Sequence, residues 1–259
     1  MSYEGLTLDK EAGVATLTLN RPEQLNAISL PMIKSIGKAI DDVHHDDGVK
    51  VLIITGAGRA FCAGLDIAAF KEVEEMSPQE LSDDMRSLAL PLYNLPKPAI
   101  AAINGITTGA GLSIAMLCDI RIASEKARFS SAYIRMGMVP DAGATYFLPR
   151  IVGTAKAIEL MVTGDSFDAA EAKGMGLLNK VVPEGEVMKV ARELAGRIAS
   201  GPSVAIKLIK QAAYQGIRNS LEQQIEFECI ADYICLRTED HKEGVKAFFE
   251  KRPPQFKGR

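Results

Sequence analysis

Two glycine-rich corners hold the residues whose types and spacing suit chemistry. In the first, the apolar run Ala99-Ile-Ala-Ala-Ile103 breaks at Asn104-Gly105 and resumes as Ile-Thr-Thr-Gly-Ala-Gly-Leu-Ser-Ile-Ala-Met-Leu-Cys-Asp119. This pattern reads as strand, tight turn and helix N-terminus. Gly105, Gly109 and Gly111 let the main chain approach a ligand closely, and the first helical turn offers unpaired N–H donors at the positive end of its dipole. Such a corner suits an oxyanion. The second corner, Gly56-Ala-Gly-Arg-Ala-Phe-Cys-Ala-Gly-Leu-Asp66, follows the buried β-type run Lys50-Val-Leu-Ile-Ile-Thr55. Other chemistries lack their residues. There is no Gly-x-Gly-x-x-Gly in the strand context that a dinucleotide requires, no Walker sequence and no Gly-x-Ser-x-Gly elbow. Cys62, Cys118, Cys229 and Cys235 show no metal-ligand spacing and are expected to be small buried residues; His44, His45 and His241 are expected to be solvated.

The elements that position these corners follow from periodicity. Val14 to Leu19 alternates as a strand ending at Asn20-Arg-Pro22, and Ile33, Ile36, Ile40 and Val43 lie at helical spacing. Glu72 to Arg86 is strongly charged and is expected to form an exposed helical or mobile segment over a pocket opening. Ile120 to Ala123 and Leu177 to Val182 read as short strands. The chain then turns helical, near residues 186–199, 202–215, 220–236 and 239–251. Strands alternating with helices, then helices alone, indicate an α/β core followed by an α-helical C-terminal region. We place the boundary between residues 1–198, the core with the site, and 199–259, a helical region for oligomerisation.

With 30 Lys and Arg against 33 Asp and Glu among 259 residues, the chain carries a formal charge of -3 and no nucleic-acid footprint. The opening segment has no basic and apolar leader pattern, and no apolar run approaches spanning length. A cytoplasmic protein without membrane association is expected.

The segments Ala60-Phe-Cys-Ala-Gly-Leu-Asp-Ile67, Pro98 to Gly111, Val139-Pro-Asp-Ala-Gly143 and Glu243-Gly-Val-Lys-Ala-Phe-Phe-Glu-Lys-Arg252 resemble the crotonase, or enoyl-CoA hydratase/isomerase, superfamily in order and spacing. The resemblance runs from about Val14 to the C-terminus. It implies a spiral of strand-strand-helix turns, a homotrimer or dimer of trimers, acyl-CoA thioester substrates, and neither a metal nor any cofactor besides the coenzyme A of the substrate. It places the oxyanion-hole donors on the backbone N–H groups of Leu65 and Ala110. Gly109 belongs to the same corner. Ala63, Asp66 and Ile67 match the adenine and pantetheine path, Leu25 and Ala27 its other side, and Phe248 and Lys251 a neighbouring subunit's contribution to the nucleotide.

The family's hydratases use two glutamates, and both positions differ here. The first, three residues after Ala110, is Ser113; the second, eight residues before Asp141, is Tyr133. Neither side chain has useful basicity near neutral pH. Asp141 after Val-Pro instead resembles the phenylacetate-type isomerases, in which one carboxylate shuttles a proton. It also resembles the nucleophile of 4-chlorobenzoyl-CoA dehalogenase, but that enzyme's pocket Trp falls on Tyr133, and this chain contains no Trp. Asp141 is therefore expected to be the base of an isomerase, its pKa raised by an apolar wall, with Ser113 and Tyr133 lining the acyl pocket. The competing role for Asp141 is a cap on the helix beginning near Gly143. The alternatives are a hydratase or thioester hydrolase using Asp141 and water, and a noncatalytic acyl-CoA-binding subunit.

Overall fold

The computed structural model describes residues 3–259. The first turn of the core gives both of its strands to the larger of two sheets, and each of the next three gives one strand to each sheet. Strand β1 (Leu6–Glu11) pairs antiparallel with β2 (Val14–Leu19), and α1 (Leu30–His44) follows. Helix α1 buries Met32, Ile33, Ile36, Ile40 and Val43, the stripe expected from their spacing. The next turn carries β3 (Val51–Gly56) and β4 (Ala60–Cys62), then helices α2 (Phe70–Glu75) and α3 (Pro78–Asn94). The third carries β5 (Ala99–Ile103), β6 (Ile106–Thr108) and α4 (Ala110–Leu117). The fourth has β7 (Ile120–Ser124) and β8 (Arg128–Ser130), a 3-10 turn at Ala132–Met136, then α5 (Ala144–Val152) and α6 (Thr154–Thr163). After β9 (Ser166–Asp168), α7 (Ala169–Gly174) and β10 (Lys180–Val182), the chain is helical: α8 (Val187–Ala199), α9 (Ser203–Gly216), α10 (Leu221–Cys235) and α11 (Glu239–Glu250).

The larger sheet has the order β1-β2-β3-β5-β7-β10, parallel from β2 onward; the smaller has the order β4-β6-β8-β9, parallel except for β9. Strands covered on both faces must be apolar throughout. Val51 to Thr55 and the whole of β5 are buried accordingly. On one face α8 lays Val187, Ala191 and Ala195 against Val51, Ile53, Ile100, Ala102 and Ile122. The other face joins the main core, which includes α1 and the fully buried α4.

The smaller sheet revises the sequence reading. Gly105 lies at the corner between β5 and β6, not at the helix start; strand β6 intervenes before α4. Three-residue strands are too short to show alternation, which is why this sheet left no periodic signal. Glu72 to Arg86 is helical within α2 and α3, and α3 opens with a capping box between Ser77 and Glu80. Of the four cysteines, Cys62 and Cys118 are buried, but Cys229 is exposed and Cys235 half-buried. Both of the latter lie on α10, which has no buried residue in the single chain. Helix α9 is tied to the core by Lys210, whose Nζ lies 2.7 Å from Asp119 Oδ2, and by the Tyr214 hydroxyl, 2.9 Å from Asp119 Oδ1. No helix among the described residues is long and apolar enough to cross a membrane.

Candidate active site

The two glycine corners meet. A Cβ on Gly64 would lie 3.2 Å from the Thr108 carbonyl and 3.6 Å from the Ala110 nitrogen, and Gly64 (φ 102°) and Gly109 (φ 52°) both adopt positive φ, which L side chains resist. Helix α4 packs as tightly on β4: a Cβ on Gly111 would come 2.3 Å from the Cys62 carbonyl. Ile28 forms a parallel bridge with Leu65, donating to the Gly64 carbonyl (2.8 Å) and accepting from Asp66 N–H (2.9 Å). The Leu65 N–H therefore faces the opposite side. Ala110 is the first residue of α4, so its N–H has no helical acceptor. Among the described residues neither N–H has a protein acceptor. Both residues line one cavity of about 50 Å³.

Asp141 lines the same cavity. Its carboxylate does not cap α5; the cap position is Gly143, with no side-chain bond. The main chain does that work, Ala144 N–H donating to the Asp141 carbonyl at 2.9 Å. The Tyr133 hydroxyl donates to Asp141 Oδ1 at 2.7 Å. The Ser113 hydroxyl lies 3.2 Å from both the Tyr133 hydroxyl and the Asp141 carbonyl, and its one proton serves either. Ala142, next in sequence, is held at φ 47°, a strained conformation for a non-glycine residue that turns the chain sharply behind the carboxylate.

Burial raises the Asp141 pKa, and this outweighs the opposing Tyr133 bond, which favours the carboxylate. Burial and the adjacent Asp141 charge raise the Tyr133 pKa, so Tyr133 stays a phenol and a donor. The apolar wall comes from Met136 and Met138, as well as Ile33, Phe70, Met85 and Leu88. Tyr133 lines the cavity as well, whereas Val139, two residues before Asp141, is 77% exposed and Phe147 lines a neighbouring cavity. Asp141 is the one carboxylate lining this cavity among the described residues.

Leu25, Ala27, Ala63 and Asp66 come together through a residue that sequence reading treated only as a strand end. Arg21 donates to the Ala27 carbonyl at 2.7 Å and to Asp66 Oδ2 at 2.8 Å, while Ala63 N–H donates to the Leu25 carbonyl at 3.0 Å. The Arg21 bond holds the Asp66 carboxyl below the usual range. The buried Asn26 supports the same loop, receiving Arg21 N–H and donating to the Ala57 and Ala60 carbonyls. Ile67 is 78% exposed beside this cluster. Phe248 and Lys251 lie on and just after α11, exposed, and do not meet the other site residues within one chain. The Cys62 thiol, near the corner, is pushed up to about 12 by burial and is chemically inert.

A family model described as enoyl-CoA hydratase/isomerase matches residues 9–259. The chain belongs to the enoyl-CoA hydratase/isomerase family. It is 38% identical over 257 residues to a crotonyl-CoA hydratase of Syntrophomonas wolfei, covering 99% of each chain. It is also 38% identical over 254 residues to a 1,2-epoxyphenylacetyl-CoA isomerase of Escherichia coli, covering 96% of this chain and 97% of the other. The crystal structure of an enoyl-CoA hydratase from Bacillus anthracis superposes with a TM-score of 0.92 at 36% identity, covering 99% of this chain and 100% of that one. The fold is thus the crotonase fold of the family, with its C-terminal helical region.

Proposed function

We propose that the protein is an acyl-CoA isomerase that moves a double bond along an enoyl thioester by proton transfer through Asp141. The observation that carries this reading is that a single carboxylate and two residues with unpaired N–H groups line one apolar cavity. The thioester oxygen accepts from Leu65 and Ala110 N–H. Asp141 removes a C2 proton from a 3-enoyl thioester, giving a dienolate whose oxygen stays on the two donors. The same carboxyl returns the proton at C4, leaving the conjugated 2-enoyl thioester. Each donor aimed at a developing oxyanion stabilises it by roughly 3 kcal/mol, and a positioned base contributes about 10²- to 10⁴-fold.

Ser113 and Tyr133 are positioning residues that orient and tune Asp141. Leu25, Ala27, Ala63, Asp66 and Ile67 form one side of the coenzyme A path. Phe248 and Lys251 serve a neighbouring subunit's nucleotide in a homotrimer or dimer of trimers. The large apolar residues exposed on α9 to α11, among them Ile230, Tyr233 and Phe249, support such an assembly.

Relatives named hydratases favour a second reading, in which Asp141 activates water on a 2-enoyl thioester. Ultraviolet absorbance separates the two. The isomerase reading predicts that a 3-enoyl-CoA becomes conjugated, that a 2-enoyl-CoA is barely hydrated, and that Asp141→Asn abolishes the first change. Rapid loss of 2-enoyl absorbance would replace this reading with the hydratase one.

A further inference from the structure

A second cavity, of about 350 Å³, lies behind the strained segment that follows Asp141. The two cavities share Met85 as a wall, and Ala142 and Gly143 line the larger one directly after Asp141 lines the smaller. Its floor is apolar, with Ala89, Leu117 and Phe147; its polar side chains are Ser82, Arg86, Arg218 and two phenols, and no acidic residue lines it. Arg218, just beyond α9, donates to the hydroxyls of Tyr93 on α3 and Tyr146 on α5. Each phenol oxygen accepts from the guanidinium. Neither Arg86 nor Arg218 forms an ion pair among the described residues. Two elements, α3 and the turn after α9, thus deliver cationic donors without an ion-pair partner to an apolar compartment beside the reacting centre.

We propose that this compartment receives the far end of the acyl group and selects thioesters whose acyl chain ends in a carboxylate. The inference rests on the acyl-CoA reading of the adjoining site. The apolar floor accommodates the methylene chain; Nη2 of Arg218 is engaged by the two phenols, and its Nε and Nη1 hydrogens remain for the oxygens of a carboxylate. A methyl-ended chain fills the same floor but leaves the arginines without a partner.

The test is calorimetric titration of the full chain with two saturated thioesters of equal length, adipyl-CoA and hexanoyl-CoA. Neither contains a double bond to move, so the result does not depend on the proton-transfer chemistry. The expected result is about tenfold tighter binding of adipyl-CoA, a preference that shrinks with added salt. Arg218→Gln should remove most of it and Arg218→Lys should recover part, because charge returns without the guanidinium's further N–H donors. Arg86→Gln should reduce it less. Equal or tighter binding of hexanoyl-CoA by the wild type overturns the proposal. So does a preference that persists in both glutamine variants. If neither thioester binds, the acyl-CoA reading of the site falls and this inference with it; if the preference holds but 3-enoyl thioesters are not isomerised, only the isomerase reading fails.

Discussion

Lining the cavity, Leu65 and Ala110 present main-chain N–H groups, whereas Asp141 and Tyr133 present side-chain oxygens bonded to each other; Ser113, expected to line the pocket too, is fully buried behind them on the Tyr133 hydroxyl. The first wall is fixed by backbone geometry, through the Ile28–Leu65 bridge, the start of α4 and the near contact of Gly64 with Gly109. Any sequence that keeps those turns keeps the donors. The second wall depends on residue identity at three positions, and on the proposed mechanism changing them would change the reaction that the same two donors support. The difference teaches where one member of this family can depart from another without disturbing the fold.

Perturbing each wall separately should give different signatures. The largest effect is expected from Asp141→Asn, which removes the one base: kcat/KM for 3-enoyl isomerisation should fall about 10⁴-fold while the variant still binds a saturated acyl-CoA in calorimetry. Gly64→Ala acts on the other wall. Its Cβ would crowd the Thr108 carbonyl at a φ of 102° and displace the Leu65 N–H. We expect a loss of about 10²- to 10³-fold in kcat with every thioester substrate, at a cost of about 1–3 kcal/mol in stability measured by denaturant unfolding.

A smaller effect, about tenfold, is expected from Tyr133→Phe, and its pH dependence identifies the cause. The proposed isomerisation uses the Asp141 carboxylate, so kcat/KM should rise with pH along an acidic limb set by its raised pKa. The Tyr133 hydroxyl favours the charged form, so losing it raises that pKa further and moves the limb to higher pH. A limb that stays in place would show that Tyr133 does not tune the base. The smallest effect should come from Ser113→Ala, worth about 1 kcal/mol or less in stability and about twofold in rate, because Ser113 reaches only the Asp141 carbonyl and the Tyr133 oxygen.

The same contrast explains what could be read from the sequence. Gly64, Gly109 and Gly111 mark the backbone wall because positive φ or close approach demands glycine, so the two glycine corners are visible as a pattern. Apolar periodicity revealed β3, β5 and α1, whose faces are buried. The smaller sheet escaped because its strands have three residues each. On the side-chain wall, the absence of two glutamates was legible, but the contact between Tyr133 and Asp141 was not. They are eight residues apart across a 3-10 turn and an irregular loop, and no local spacing predicts their meeting. Likewise Arg21 carried no signal beyond ending a strand, although it organises the loop of Leu25, Ala27 and Asp66.

The central claim is that one carboxyl group both removes and returns the proton. The most direct measurement follows a 3-enoyl-CoA deuterated at C2 through isomerisation in ordinary water, with the label position read by mass spectrometry and NMR at low conversion. A single shuttling Asp141 predicts a substantial fraction of product carrying deuterium at C4, and no product from Asp141→Asn. Product with no deuterium at C4, formed as fast by Asp141→Asn as by the wild type, would contradict the account.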